Sequence, residues 1–155
     1  MRYFIDTNLI IDIFDSRKTR KSKSDEEIQL EKEKLAPIVN ILINPENEIF
    51  INKLVYLETL RTIKLDDPKN FQTLKNHLDD FSVAPLNRQI YEDAVALSRY
   101  SRTKGITISG RCAAIDLLHF STAKYYELEL LARDGDMDML TKIYPDFLES
   151  EKDVK

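Results

Sequence analysis

Residues 110–139, GRCAAIDLLHFSTAKYYELELLARDGDMDM, decide the fold that we predict for this chain. Their first half is apolar on nearly all sides, which is typical of a buried helix, and we predict that helix over residues 111–126. A short apolar strand, 128–131, and a run of acids follow. Asp116 lies on a largely apolar helical face. An ionised carboxylate buried in such a place needs a cation, and other acids that converge on Asp116 could share it.

Working outward, strands are predicted at 3–5, 48–51, 81–86 and 128–131. They alternate with helices predicted at 9–14, 25–42, 54–63, 71–78, 87–102 and 139–144, with Thr7 or Asn8 capping the first of them. This alternation favours an α/β fold with a mostly parallel central sheet of four to five strands, flanked by helices.

The composition fits one helix-rich domain. The chain has 155 residues, 43% of them hydrophobic, with only three glycines and five prolines. One cysteine and two histidines exclude a disulfide framework, a cysteine-rich zinc site and a histidine-based metal site. No apolar run is long enough for a membrane span and no signal segment begins the chain, so we expect a cytoplasmic protein without a membrane partner.

The domain is expected to cover residues 1–147, with a charged insertion at 16–34 and a charged tail, 148–155, that frays. The net charge of −4 excludes general electrostatic attraction to nucleic acid but leaves room for a local basic patch. The candidates for phosphate contacts are Arg17, Lys18, Arg20, Lys21, Lys23, Arg111 and Arg133. A solvated run of charges is the alternative for the five in the insertion.

Four acids could meet at the carboxyl ends of the strands, where open α/β sheets bind ligands. Asp6 follows the first strand, Asp134 follows the last, and Glu58 and Asp116 lie on the helices after the second strand and before the last. Without cations the four would repel one another. Carboxylate oxygens in this number suit Mg²⁺ or Mn²⁺.

Each of these acids also has a simpler interpretation. Asp6 could cap a helix, Glu58 could pair with Arg61 or Thr62, and Asp116 could be a buried acid with a distant partner. Asp134 and Asp136 could be turn and cap residues of the last helix. His119, flanked by apolar residues, is expected to be a core histidine.

Three segments resemble PIN-domain ribonucleases, most of all the VapC-type toxins of toxin–antitoxin pairs. They are YFIDTNLIIDIF at 3–14, INKLVYLETLR at 51–61 and AAIDLLHFSTAKYYELELLARDGDM at 113–137. The resemblance implies a Rossmann-like three-layer sandwich. It makes Asp6, Glu58, Asp116 and Asp134 catalytic, metal-binding acids, Asp136 an accessory metal ligand, and Asn8 a residue that supports Asp6.

The resemblance further implies a metal-dependent endoribonuclease that uses a metal-activated water and leaves a 5′ phosphate. It also implies a homodimer and a VapB-like antitoxin partner, for which helices 9–14 and 54–60 could supply a groove. Two alternatives stay open: a non-catalytic PIN-like domain that binds RNA or acts as a scaffold, and a phosphotransfer enzyme with Asp6 as nucleophile.

Overall fold

Short parallel strands alternate with helices in the computed structural model of the chain, which describes residues 1–15, 23–108, 110 and 112–154. The elements are β1 (Arg2–Ile5), α1 (Thr7–Phe14), α2 (Asp25–Ile43), β2 (Glu48–Ile51), α3 (Lys53–Leu60), α4 (Pro68–Asp79), β3 (Ser82–Val83), α5 (Arg88–Thr103), α6 (Ala113–Tyr125), β4 (Glu129–Leu131) and α7 (Gly135–Asp153). Five of the predicted phosphate contacts lie outside the described residues: Arg17, Lys18, Arg20, Lys21 and Arg111.

The four strands form one parallel sheet in the order β3-β2-β1-β4, so the predicted α/β fold is confirmed. Strand β1 lies in the interior of the sheet, and its Tyr3, Phe4 and Ile5 are all buried. An interior strand of a parallel sheet is covered on both faces, which is why β1 reads as an unbroken apolar run.

Two buried apolar clusters hold the helices on the sheet. One is built from β1, β2 and helices α1 to α4, with Leu9, Val55 and Leu78 among its members. The other joins helices α5, α6 and α7 through residues such as Leu97 and Phe120. None of the helices in the described part of the chain combines the length and apolar character that crossing a membrane requires.

Several predicted helix limits were wrong, most clearly those of the first and the last helix. Helix α1 begins at Thr7 with Asp6 at the N-cap position, so neither Thr7 nor Asn8 is the cap. Helix α7 runs from Gly135 to Asp153 instead of 139–144 and takes in the charged residues after Phe147. Pro145 lies inside α7, where burial of residues on both sides of it offsets the missing backbone donor. The domain limits and the fraying of the tail stay predictions.

Candidate functional site

The candidate site lies at the carboxyl ends of β1 and β4. After β1 the chain passes to β2 and β3 on one side and returns in β4 on the other, so the strand order reverses between β1 and β4. Ligands of open α/β sheets bind at such a point. The backbone N–H of Asp6 donates to the carbonyl of Leu131 at 3.0 Å. This bond fixes the residue that follows β1 beside the end of β4.

Three carboxylates converge there: those of Asp116, Asp134 and Asp136. One carboxylate oxygen from each lies within 4.8 Å of the others. Asp116 is in the first turn of α6. Asp134 caps α7, and its Oδ1 accepts the backbone N–H of Asp136 at 2.9 Å. The capping interpretation of Asp134 is therefore right, and the same turn brings Asp136 into the group.

Asp6 is the buried acid beside this group. It is 2% exposed, and its Oδ2 is the one buried side-chain polar atom without a hydrogen-bond partner among the described residues. Although Asp6 holds the N-cap position of α1, its side chain makes no capping hydrogen bond. Buried polar atoms almost always have a partner, so an orphaned carboxylate oxygen beside a cluster of acids fits a cation ligand.

Burial and mutual repulsion both disfavour the ionised acids. Burial raises the pKa of Asp6, and the charge of Glu58 raises it further. The pKa of Asp116 is raised to about 6 by burial and then by the charges of Asp134, Asp6 and Asp136. The carboxylates of Asp6, Asp116, Asp134 and Asp136 therefore repel one another, although they come from three separate segments of the chain. A divalent cation would relieve that repulsion, so the residues present fit Mg²⁺ or Mn²⁺.

Glu58 is not a member of the three-carboxylate group, and its Oε1 makes two hydrogen bonds of its own. The Thr7 hydroxyl donates at 2.8 Å, and Nε2 of His119 lies at 2.9 Å. Burial raises the pKa of Glu58, but the hydrogen bonds from His119 and Thr7 outweigh it, so the net pKa is lowered. Arg61, the partner that the sequence suggested for Glu58, also lowers this pKa, but by less than His119 and Thr7 do. Glu58 is thus an oriented, ionised carboxylate next to Asp6.

Three polar residues hold this arrangement through bonds that the sequence did not predict: Thr7, Asn52 and His119. His119 is fully buried, as a core histidine should be, yet both of its ring nitrogens have partners, Glu58 and Asn52. The sequence did carry a signal for it, since His119 lies three residues after Asp116 on the same helical face. Its partners are 61 and 67 residues away along the chain, and no local pattern identifies them.

The remaining candidates among the described residues, Asn8, Lys23 and Arg133, lie toward the surface. Asn8 is exposed in the first turn of α1, and its support of Asp6 stays a prediction. Arg133 is exposed directly before Asp134. Lys23 forms an ion pair with Glu31 of α2, which favours the solvated-charge interpretation for this lysine.

Comparisons with known proteins agree with this architecture. The model of the PIN domain family matches residues 3–143. A search of curated proteins finds no match. VapBC2 from Rickettsia felis, solved with a DNA fragment from its promoter, is similar in structure with a TM-score of 0.60 and 18% identity, covering 90% of this chain and 93% of that one.

Two further solved structures are similar. FitAcB from Neisseria gonorrhoeae has a TM-score of 0.57 and 18% identity, with 92% of this chain and 94% of that chain covered. A toxin–antitoxin complex from Klebsiella pneumoniae has a TM-score of 0.54 and 21% identity, with 85% and 86% covered. At these identities the likeness concerns the fold.

Proposed function

Because this chain belongs to the PIN domain family, we propose that it is a divalent-metal-dependent endoribonuclease and the toxin of a VapC-type toxin–antitoxin pair. One observation carries the proposal. The carboxylates of Asp116, Asp134 and Asp136 lie within 4.8 Å of one another, beside a buried Asp6 oxygen that has no partner. Without a cation these charges repel one another.

The metal ligands are proposed to be Asp116, Asp134, Asp136 and Asp6, with Glu58 at the edge of the site. Mg²⁺ or Mn²⁺ suits a set made only of carboxylate oxygens. A bound ion of this kind supplies activation of water and neutralisation of phosphate charge. In this set Asp136 is a full metal ligand, whereas the sequence resemblance makes it an accessory one. Glu58 lies at the edge of the site, whereas the resemblance makes it one of the four main ligands.

The protein residues have separate tasks in this proposal. Glu58 is ionised and oriented by Thr7 and His119, so it is available to accept a proton or to orient a water at the substrate phosphate. Arg133 is exposed next to Asp134 and is placed to contact an RNA phosphate. His119 is not available as a base, because it is buried and bonded on both ring nitrogens. The proposal requires no histidine base.

We further propose an antitoxin partner and a homodimer. The structural neighbour from Klebsiella pneumoniae is described as a toxin–antitoxin complex, which supports the first proposal. The helices expected to receive the partner keep some apolar surface. Leu57 of α3 is 58% exposed, and Ile13 of α1 lines a surface groove against Leu35 and Val39 of α2.

The alternatives predict different behaviour. A non-catalytic PIN-like domain would bind RNA without cutting it. A phosphotransfer enzyme would need Asp6 as an accessible nucleophile, and the 2% exposure of Asp6 weighs against that reaction.

RNA cleavage with and without metal tests the proposed function. We expect the purified chain to cut members of a panel of structured RNAs in Mn²⁺, to stop when EDTA removes the ion, and to leave 5′-phosphate ends. End-labelled RNA on sequencing gels gives the cut sites, and sensitivity of the products to a 5′-phosphate-dependent exonuclease gives the end chemistry. Binding of the RNAs without cleavage in Mn²⁺ or Mg²⁺ would favour the non-catalytic alternative.

A further inference from the structure

Asn52 is fixed in one orientation by the backbone of α3. It occupies the N-cap position of that helix, and its Oδ1 accepts the N–H of Val55 at 2.9 Å. A backbone N–H can only donate, so the oxygen of the amide must face Val55 and the nitrogen must face the other way. The Nδ2 group of Asn52 therefore points into the buried space between α3 and α6 with two hydrogens to donate.

Both of those hydrogens have acceptors on α6. Nδ2 of Asn52 lies 3.0 Å from Nδ1 of His119 and 3.4 Å from Oγ1 of Thr122. The hydroxyl of Thr122 donates its own hydrogen to the carbonyl of Leu118 at 2.7 Å, so its oxygen is left to accept. Asn52 and Thr122 are both fully buried, and water does not compete for these bonds.

The position of the proton on His119 follows from these bonds. Because Asn52 donates to Nδ1, that nitrogen carries no hydrogen, and the hydrogen of the neutral ring is on Nε2. Nε2 then donates to Oε1 of Glu58 at 2.9 Å, and Thr7 donates to the same oxygen at 2.8 Å. The direction of every bond from Val55 to Glu58 is set by a backbone group at the start of the chain of bonds.

We propose that Asn52 and His119 are positioning residues that hold Glu58 as an ionised acceptor, with its Oε2 kept for the metal site or for the water attacking the RNA. The role of Glu58 at a metal site rests on the proposed function. The hydrogen-bond network from Val55 to Glu58 does not depend on it. Carboxylates at metal centres are commonly oriented by hydrogen bonds from residues that do not touch the metal, and loss of such a partner weakens metal binding. Neither residue touches substrate in this proposal.

Nitrogen-15 NMR of the metal-free protein tests the proton position directly. We expect the His119 ring to give the pattern of the neutral tautomer with a proton on Nε2 and none on Nδ1. His77, which stacks on Phe14 and is outside the network, serves as the internal reference. A proton on Nδ1 of His119 would overturn the inference, whatever the metal does.

Mn²⁺ affinity tests what the network does for the site. We expect His119→Phe, which fills the space but cannot donate, to weaken Mn²⁺ binding by about 10-fold or more, as for other supports of metal ligands. His119→Gln keeps an N–H donor toward Glu58 and should bind close to wild type. Isothermal titration calorimetry at a temperature where each variant is folded gives the dissociation constants.

Phe120→Leu is the matched control, since Phe120 is equally buried on the same helix and packs in the cluster with α5 and α7. It should lower the melting temperature and leave Mn²⁺ affinity unchanged. Equal affinity of wild type and His119→Phe, or weakening by Phe120→Leu to the same extent, would overturn the inference alone. Absence of Mn²⁺ binding by the wild type would overturn the proposed function and this inference with it.

Discussion

Asp116→Asn is expected to reduce Mn²⁺-dependent RNA cleavage by about 1,000-fold. The ion stabilises charge in the transition state by several kcal/mol, and each 1.4 kcal/mol corresponds to about a tenfold change in rate. Asn keeps the shape of the side chain but loses the charge that holds the ion. Initial rates on end-labelled RNA, measured with protein purified in parallel, give the ratio.

The control for this variant is Asp146→Asn. Asp146 is an exposed acid on α7, the helix whose first turn carries Asp136, so the change of net charge is the same. It should cleave at the wild-type rate. Equal cleavage by wild type and Asp116→Asn would mean that Asp116 takes no part in the reaction or that a contaminating nuclease does the cutting.

Asp116→Asn should be more stable than wild type when no metal is present. The pKa of Asp116 is raised from 3.8 to about 6, so between these values the folded protein holds a proton that the unfolded chain has lost. The unfolding free energy of the wild type therefore falls as pH rises through this window. Asn does not titrate. At pH 7 we expect Asp116→Asn to gain about 1–2 kcal/mol, because solvent screens part of the repulsion at this half-buried carboxylate, and to gain little at pH 4.

Urea unfolding of both proteins at pH 4 and pH 7 in EDTA measures this difference. A loss of activity combined with a gain in metal-free stability is the signature of a ligand, because residues that merely support the fold lose both. Destabilisation by Asp116→Asn at pH 7 would assign Asp116 a structural role.

Mn²⁺ is expected to raise the melting temperature of the wild type by about 5–10 °C when present at about 100 times its dissociation constant. At that ratio a ligand that binds only the folded state adds about 2.7 kcal/mol, and for a domain of this size each kcal/mol shifts the midpoint by about 2–4 °C. Differential scanning fluorimetry over a series of Mn²⁺ concentrations gives the shift. Asp146→Asn should show the full shift and Asp116→Asn little of it.

The strands and the acids that follow them could be predicted from the sequence because their signals are local. Residues 3–5 form an unbroken apolar run since β1 is covered on both faces, and Asp6 comes directly after it. Asp116 was conspicuous as a charge on an apolar helix. The parallel sheet then brings the ends of β1 and β4 together whatever the details of the loops.

The composition of the tight carboxylate group could not be predicted in this way. Asp136 joins it because Asp134 caps α7 and accepts the N–H of Asp136, which is a matter of turn geometry. Glu58 is not part of it, and its Oε1 is instead bonded to Thr7 and His119. These bonds join residues 51 and 61 positions apart, and only the folded chain reveals them.

The length of α7 could not be predicted from local sequence signals either. Pro145 argues locally for a helix end, and the predicted helix stopped before it. Leu140 and Phe147 are both buried in the cluster with α5 and α6, and that packing carries the helix past the proline. Tertiary burial outweighed a local preference there, as it often does.

The most direct test of the shared metal site is a crystal structure of the wild type grown with Mn²⁺ and measured for anomalous scattering. The account predicts a Mn²⁺ peak about 2.1 Å from carboxylate oxygens of Asp116, Asp134 and Asp136, with Oδ2 of Asp6 turned toward it. A map without a peak at these residues, at an Mn²⁺ concentration that saturates cleavage, would contradict it.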